Sequence, residues 1–286
     1  MEVFDGADHL PVLELLKLVV RGRHEWRPAA PAAMRARAFA AELAGAQIRL
    51  PMLELLGKTV EAAADRGRAA APAQDGPQPF RITSTNVGPA SEDLGRPAVL
   101  VVENRIGDGG FVRAMAAALN DERVVGALRK RWLKFCHSGG TGQMADLAAD
   151  ECRDFALIVR VAMLIDSDRE DPAKPSPNER KVQRARQGGV PHVHMFTWRM
   201  VENYVPFRVW ERHFPYKTAK LKELREWVPQ QRGYRHLKTY FVGKDGQMPA
   251  PLMPDDIRLS EVDFHELGPD VVAELRQVLA MIRRIL

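Results

Sequence analysis

Cysteine is scarce in this chain: Cys136 and Cys152 are its only two. They have neither the spacing of a zinc site nor the density of a disulfide scaffold, which excludes a disulfide-stapled module and leads us to expect a reducing, cytoplasmic location. No apolar run approaches the roughly 18 residues of a membrane-spanning helix. The opening Met-Glu-Val-Phe-Asp has no basic stretch ahead of an apolar one, so neither a signal peptide nor a membrane partner is expected. Internal repeats are absent. So is the Gly-Lys-Ser/Thr ending of a P-loop: Ser138-Gly-Gly-Thr-Gly142 is rich in glycine but stops short of it, so the chain should not hydrolyse ATP by itself. What is present is ordinary in bulk. With 286 residues, 45% of them hydrophobic and 28% charged, the chain can bury a sizeable core and carry one large domain plus an appendage.

The distribution of charge is less ordinary. Residues 174–244 hold 16 Lys and Arg against 5 Glu and no Asp, a local net of +11 in a chain whose total is +5, which leaves −6 elsewhere. All four tyrosines (Tyr204, Tyr216, Tyr234, Tyr240) and three of the five tryptophans (Trp198, Trp210, Trp227) share that segment. Cations neutralise phosphates and flat rings stack on bases, so this is a candidate nucleic-acid surface, with Arg199, Lys217, Lys220, Arg235 and Lys238 as its named cations. A solvated helical face with the rings packed beneath it is the competing account of the same composition.

Periodicity organises the chain into two styles. Residues 10–66 read as helices: an apolar one from Leu10 to Val20, an Ala-rich one opened by Pro28 and Pro31 and running to Ala44, and a third from Leu53 toward Ala64. Residues 66–79 read as a linker. Beyond it strands and helices alternate. Short apolar runs at 98–103, 133–137 and 161–165 have the character of buried strands, and 192–198 has period-2 character. Helices are expected at about 111–119 and 143–153, with an amphipathic one closing the chain from about Asp270. The alternation implies an α/β fold with a mostly parallel sheet, helices on its faces, and ligands at the carboxyl ends of its strands.

That edge would carry Glu103, Asp108, Asp166 and Asp168. Val-Val-Glu103-Asn-Arg-Ile-Gly107-Asp108 sets a carboxylate after one buried strand, and Leu-Ile-Asp166-Ser-Asp168 sets two after another. Acids gathered at one edge repel one another unless a divalent cation lies between them, and an all-oxygen donor set suits Mg²⁺ or Mn²⁺. Taken singly, each motif is more simply a turn or a helix cap. Together and in this order they point to metal-dependent phosphate chemistry.

The pair resembles the TOPRIM fold, shared by type IA and type II topoisomerases, bacterial primases, small recombination proteins and the overcoming-lysogenization-defect (OLD) nucleases. Its signatures are a Glu after the first core strand and an Asp-x-Asp after the third, which here fall on Glu103 and on Asp166 and Asp168. His137-Ser-Gly-Gly-Thr-Gly142 is similar to the glycine-rich end of the intervening strand. Arg199-Met-Val-Glu202-Asn203-Tyr204 resembles the Arg-x-x-Glu-Asn-Tyr segment of OLD-like nucleases and related phage-defence proteins, where the Glu is associated with a second metal. The resemblance implies a TOPRIM catalytic domain with a basic helical extension over 97–245. Around it would lie an N-terminal helical domain (1–75), a linker and first strand (76–96), and a C-terminal segment and helix (246–286).

It also implies a Mg²⁺- or Mn²⁺-dependent nuclease with two ions, held by Glu103, Asp108, Asp166, Asp168 and Glu202. A late lysine should serve the site, with Lys238 matched to it and Lys217 and Lys244 as rivals, and Arg199 could share its role. An anti-phage setting and a separately encoded ATPase partner follow from the same likeness, while the strongly apolar first helix could dock on a partner or on a second copy of the chain as a homo-oligomer. Two departures stand out: Asn104 occupies the usual glycine position, and Asp108 is one residue farther from Glu103 than is common. They keep open a non-catalytic nucleic-acid-binding subunit with a degenerate site. A haloacid-dehalogenase-like phosphatase is a further rival, since Asp166-Ser-Asp168 also fits that family, although there the pair follows the first core strand. His192 and His194 share a strand face but lack an evident third zinc ligand. Cys136 and His137, adjacent in a strand, should point to opposite faces.

Overall fold

The computed structural model describes residues 2–5, 9–43, 50–68, 79–243, 246–254 and 256–286, the side chains of 2, 43, 50–53 and 66–68 excepted. Most of the expected linker, 69–78, and the rival lysine Lys244 lie outside the described residues. The chain divides into two compact units. One comprises Met1–Pro97 with Phe155–Val159 and Leu286, the other Ala98–Asp154 with Arg160–Ile285.

The first unit is helical: α1 Leu10–Val20, α2 Ala30–Leu43, α3 Leu50–Arg68 and α4 Val87–Gly95. Its core is assembled from residues three and four apart, Val12 and Leu16 on α1, Ala33, Ala36 and Ala40 on α2, Leu56 and Val60 on α3, closed by Phe4 and Phe39. The alanines of α2 let α3 approach closely, which explains an Ala-rich helix with few large side chains. Of the range 76–96, expected to hold a strand, the described residues 79–96 hold none; α4 occupies 87–95 instead. Pro89 sits in its first turn, where the missing N–H costs nothing. Asn86 shapes the entry, its side chain accepting from Thr83 N (2.7 Å) and donating to Arg81 O (3.1 Å). Asp93, 1% exposed, accepts three backbone N–H groups, from Ala156 (3.0 Å), Leu157 (2.7 Å) and Ile158 (2.8 Å).

The second unit is an α/β layer structure. In order it holds β1 Ala98–Val102, α5 Gly107–Ala118, α6 Glu122–Arg129, β2 Leu133–His137, α7 Met144–Arg153, β3 Val161–Ile165, α8 Glu179–Gln187 and β4 His192–Met195. A 3₁₀ turn, Val201–Tyr204, leads to α9 Phe207–His213, α10 Thr218–Glu226, α11 Pro229–Tyr234, α12 Leu237–Val242, α13 Glu261–His265 and α14 Pro269–Ile285. The four strands form one all-parallel sheet in the order β2-β1-β3-β4. Every residue of β1 and β3 is buried, as central strands covered on both faces require. Each large apolar side chain there contributes roughly 1.5–3 kcal/mol of burial. Right-handed crossovers leftward to β2 and rightward to β3 put α5 and α6 on one face and α7 and α8 on the other. The packing agrees: α14 joins α6 on the first face, and α7 contacts α8. The C-terminal helix is thus part of the sheet's own unit.

Two boundaries differ from expectation for a visible reason. Helix α5 begins at Gly107, four residues early, because Asn104 Oδ1 accepts the N–H groups of Ile106 (2.8 Å) and Gly107 (3.0 Å) while Asp108 Oδ2 accepts that of Asn104 (2.9 Å). This reciprocal arrangement satisfies donors that a helix start otherwise leaves open. Strand β4 ends at Met195 rather than 198, since Thr197 N turns to Glu274 Oε1 (2.7 Å) and Trp198 N to Tyr204 Oη (2.9 Å).

Candidate functional site

A sheet ordered β2-β1-β3-β4 reverses direction between β1 and β3, and the crevice outside the carboxyl ends at such a reversal is where open α/β sheets bind ligands. Glu103 follows β1 and Asp166 follows β3. The register pairs Val101 with Met163, so Glu103 stands level with Ile165, one residue short of Asp166. The two expected carboxylate motifs therefore meet at the one place on the sheet where the topology opens a site.

The Asp166-Ser167-Asp168 turn is over-determined. Ser167, fully buried, donates from Oγ to Trp198 O (2.7 Å), and its own carbonyl accepts from Ser176 Oγ. Asp168 has φ +53°, a left-handed conformation that L-residues other than Asn and Asp rarely adopt. It is held there by its N–H bond to Arg199 O (2.8 Å) and by Asn178, whose Nδ2 donates both to Asp168 Oδ2 (2.8 Å) and to Asp166 O (2.9 Å). Asn178 is 1% exposed, and its Oδ1 accepts from Lys181 Nζ (2.6 Å), which also donates to Thr141 Oγ1 (2.6 Å) in the glycine-rich loop. Strain kept by so many bonds is characteristic of a positioned functional group.

Glu202 reaches the same edge from the 3₁₀ turn. Its neighbours show why the Arg-x-x-Glu-Asn-Tyr pattern takes those residues. Asn203, wholly buried, accepts from Met200 N (3.1 Å) and donates to Arg232 O (2.6 Å) and Arg235 O (2.9 Å), stitching the turn to the end of α11. Tyr204 packs among Phe111, Phe196 and Trp198, and its hydroxyl donates to Glu274 Oε2 (2.5 Å). Arg199 contributes mainly backbone, donating N–H to Gly233 O (2.8 Å) and accepting from Asp168 N. A Cβ on Gly233 would come within 2.6 Å of the Trp198 ring, so that close approach needs glycine.

Electrostatics ties the acids together. Desolvation lifts Asp166 well above the carboxylate range, and Asp108, Glu202, Glu103 and Asp168 each add repulsion. Asp166 receives one backbone donor, Val201 N (2.9 Å). Asp108 is pushed up to about 6, chiefly by burial against the relief of its bond to Asn104 N. Glu103 is raised by burial and by Asp108 and Asp168, and lowered by Lys181 and Lys238. Glu202 is raised by burial, with Lys238 opposing. Five carboxylates from three segments thus feel one another, and of the lysines considered from the sequence it is Lys238 that they feel. Among the described residues, no three His, Cys, Asp or Glu side chains form a ready metal cluster.

Sequence reasoning missed Lys181, Asn178 and Thr141. The run Ser176-Pro-Asn-Glu-Arg-Lys181 is a turn followed by a helix start, and a capping Asn with a lysine one turn later was the available signal. The basic segment turns out largely self-satisfied. Lys217 donates to Phe241 O, Lys220 to Tyr240 O, and Arg235 stacks over Trp227 at 4.9 Å. Arg199 pairs with Glu170 (3.3 Å), Arg208 with Asp263 (3.1 Å), Arg212 with Asp256 (2.9 Å) and Arg225 with Glu211 (2.9 Å). The expectation that its rings stack on bases fails for Trp198, Tyr204 and Trp210, which are buried in the core; Tyr216, at 96% exposed, is free to do so.

The remaining sequence candidates are accounted for locally. His194 bonds Glu274 (3.2 Å), and burial with nearby Arg284 lowers His192. Burial also pushes both thiols up, Cys152 to about 11, so neither is an activated nucleophile. No helix among the described residues is long and apolar enough to cross a membrane. No family model, curated protein or solved structure matches this chain.

Proposed function

We propose that this chain is a divalent-metal-dependent nuclease with a TOPRIM-type carboxylate site that hydrolyses phosphodiester bonds of DNA or RNA. The observation that carries the reading is the gathering of Glu103, Asp108, Asp166, Asp168 and Glu202 at the β1/β3 reversal, mutually repelling and opposed by Lys181 and Lys238. An all-oxygen donor set of this charge fits Mg²⁺ or Mn²⁺. Glu103, Asp166 and Asp168 would hold one ion, and Glu202 with Glu103 or Asp108 the other. Such ions supply Lewis-acid stabilisation of phosphate charge and a lowered pKa for attacking water. The chain's own residues do the positioning. Asn178 fixes the Asp168 carboxylate, Asn203 fixes the turn that carries Glu202, and exposed Lys238 meets a non-bridging phosphate oxygen.

The same resemblance extends the proposal to anti-phage defence with a separately encoded ATPase partner, since the chain has no P-loop of its own. A pull-down of the two purified proteins tests that extension, and absence of a complex with the neighbouring-gene ATPase overturns it. One observation favours a second reading, a non-catalytic nucleic-acid-binding subunit: the absence of a ready three-ligand cluster among the described residues. The deciding experiment is cleavage of supercoiled plasmid, single-stranded DNA and total tRNA in Mg²⁺ and in Mn²⁺, comparing the wild-type chain with Glu103→Gln and Asp166→Asn. Cutting that both variants lose supports the nuclease. No cutting, with calorimetric Mg²⁺ binding that needs Asp166, identifies an enzyme awaiting its partner. Absence of both leaves the second reading.

A further inference from the structure

A cavity of about 750 Å³ on the second unit lies outside the carboxylate cluster. One wall is the outward face of α5: Gly110, Arg113, Ala114 and Ala117 line it at helical spacing, with Arg105 and Ile106 from the loop before. The facing wall comes from Pro251, Met253, Pro254, Ile257, Arg258 and Leu259. Gly110 to Ala117 spans about 10 Å of helix axis. The groove starts where the site is, because Glu103, Asn104 and Asp108 belong to the same loop and first turn as Arg105, Ile106 and Gly110.

Its cations lack the carboxylate partners that several other arginines of this unit have. Arg208, Arg212, Arg225 and Arg276 each have a carboxylate partner. Among the described residues, neither Arg105, Arg113 nor Arg258 forms an ion pair; Arg113 lies over the Phe135 ring at 4.8 Å, and Arg258 contributes only its carbonyl, to Arg208. Three exposed guanidinium groups with no ion-pair partner among the described residues therefore line a concavity whose floor is aliphatic, with Ile106 59% exposed. Unpaired arginines attract phosphates, and an aliphatic floor gains from base faces only when the bases are not already stacked in a duplex.

We infer that this groove binds a single-stranded nucleic acid, with Arg105, Arg113 and Arg258 on its phosphates, and leads it to the carboxylate edge. The inference rests on the nuclease reading and names its substrate class. It also moves the strand-binding role away from the 174–244 segment, where Arg184, Arg199, Arg208, Arg212 and Arg225 are ion-paired within the protein.

The test is fluorescence anisotropy with a labelled 15-nucleotide single strand in EDTA, in an Asp166→Asn background, so that neither metal nor cleavage enters the reading. Arg105→Glu/Arg113→Glu/Arg258→Glu should weaken binding tenfold or more and flatten the slope of log K against log salt by about 2, near 0.7 for each phosphate no longer neutralised. Arg105→Gln/Arg258→Gln, which leaves Arg113 stacked over Phe135, should give an intermediate loss, and Arg276→Glu none. Unchanged binding in the triple variant overturns the inference, even if the chain cuts nucleic acid. Equal competition by a duplex of the same length overturns its single-strand part, and equal competition by polyglutamate reduces the groove to an acidic-peptide site. Loss of binding in the variants of a chain that neither cleaves nor binds Mg²⁺ would leave the groove standing and remove the nuclease reading.

Discussion

Two aspartates in this chain have lost much of their water, and their surroundings could hardly differ more. Asp93, in the helical unit, is 1% exposed and receives three backbone N–H groups between 2.7 and 3.0 Å. Asp166, at the end of β3, keeps some surface yet receives one backbone N–H and the repulsion of four other acids. Glu274 shows that the second unit can also satisfy a carboxylate: burial raises it, but bonds from His194, Tyr204 and Thr197 outweigh burial and hold it below the usual range. The fold thus has the means to solvate an acid with protein donors and gives Asp166 a single backbone one. A buried charge left short of partners is costly, which is the electrostatic ground for proposing a cation there.

The largest expected effect separates the two aspartates by function. Asp166→Asn should lower metal-dependent cleavage by about a thousandfold or more, a change on the scale of removing one key transition-state interaction. Its metal-free melting temperature near pH 7.5 should hold or rise, because a repelled charge has been removed. Plasmid cleavage and calorimetric melting of one preparation check both halves. A variant that loses both activity and stability would make Asp166 a structural residue. Next in size, Asp93→Asn should cost about 3 kcal/mol of stability, since an amide N–H₂ replaces an oxygen that accepts two of the three donors. Denaturant midpoints read it, and a loss below about 0.5 kcal/mol would show that the three bonds contribute little.

A smaller effect is expected at Asn178. It reaches the carboxylates only through Asp168, so Asn178→Ala should weaken Mg²⁺ binding by about 10- to 100-fold, as removal of an outer hydrogen-bond partner does. Asn178→Asp, which keeps the acceptor for Lys181 but not the donor to Asp168, should weaken it at least as much. Isothermal titration decides it: equal Mg²⁺ affinity in all three proteins would confine Asn178 to shaping the turn.

How much of this was legible in the sequence depended on whether the signal was local. The strands at 98–102 and 161–165 are short apolar runs of buried-strand type, 133–137 is a half-exposed edge strand, and the all-parallel sheet follows from their alternation with helices. Glu103, Asp166 and Asp168 were legible because an acid directly after such a strand has one place to go. The strand order was not, since β2-β1-β3-β4 is set by which crossover goes which way, and no residue type records that. Residues 87–95 form a helix partly because Asn86 is engaged by Arg81 and Thr83, an arrangement invisible as composition. The partners of the basic segment were hidden for a related reason: a charge count cannot see that Arg208, Arg212 and Arg225 meet Asp263, Asp256 and Glu211. Arg105, Arg113 and Arg258, scattered through the sequence, formed no run to notice.

The last comparison is between the two carboxylate classes under a change of pH. Asp108 is raised from 3.8 to about 6, and Glu103, Glu202 and Asp166 are raised as well. A raised acid binds its proton more tightly in the folded chain, so its penalty is absent below the unfolded value and complete above the folded one. Glu274, held low, acts oppositely: its contribution is present above the unfolded value and fades as pH falls through the folded one. In EDTA the wild-type chain should therefore lose stability as pH rises from about 4.5 to 7, by roughly 5 °C in melting temperature. Saturating Mg²⁺ should restore most of that loss at pH 7.5 and little at pH 5, where protons already do the neutralising. Asp166→Asn should shrink both the EDTA slope and the Mg²⁺ response. Calorimetric melts across that range make the check, and a flat EDTA profile would mean that the acids relax apart in solution, which removes the electrostatic reason for placing a cation among them.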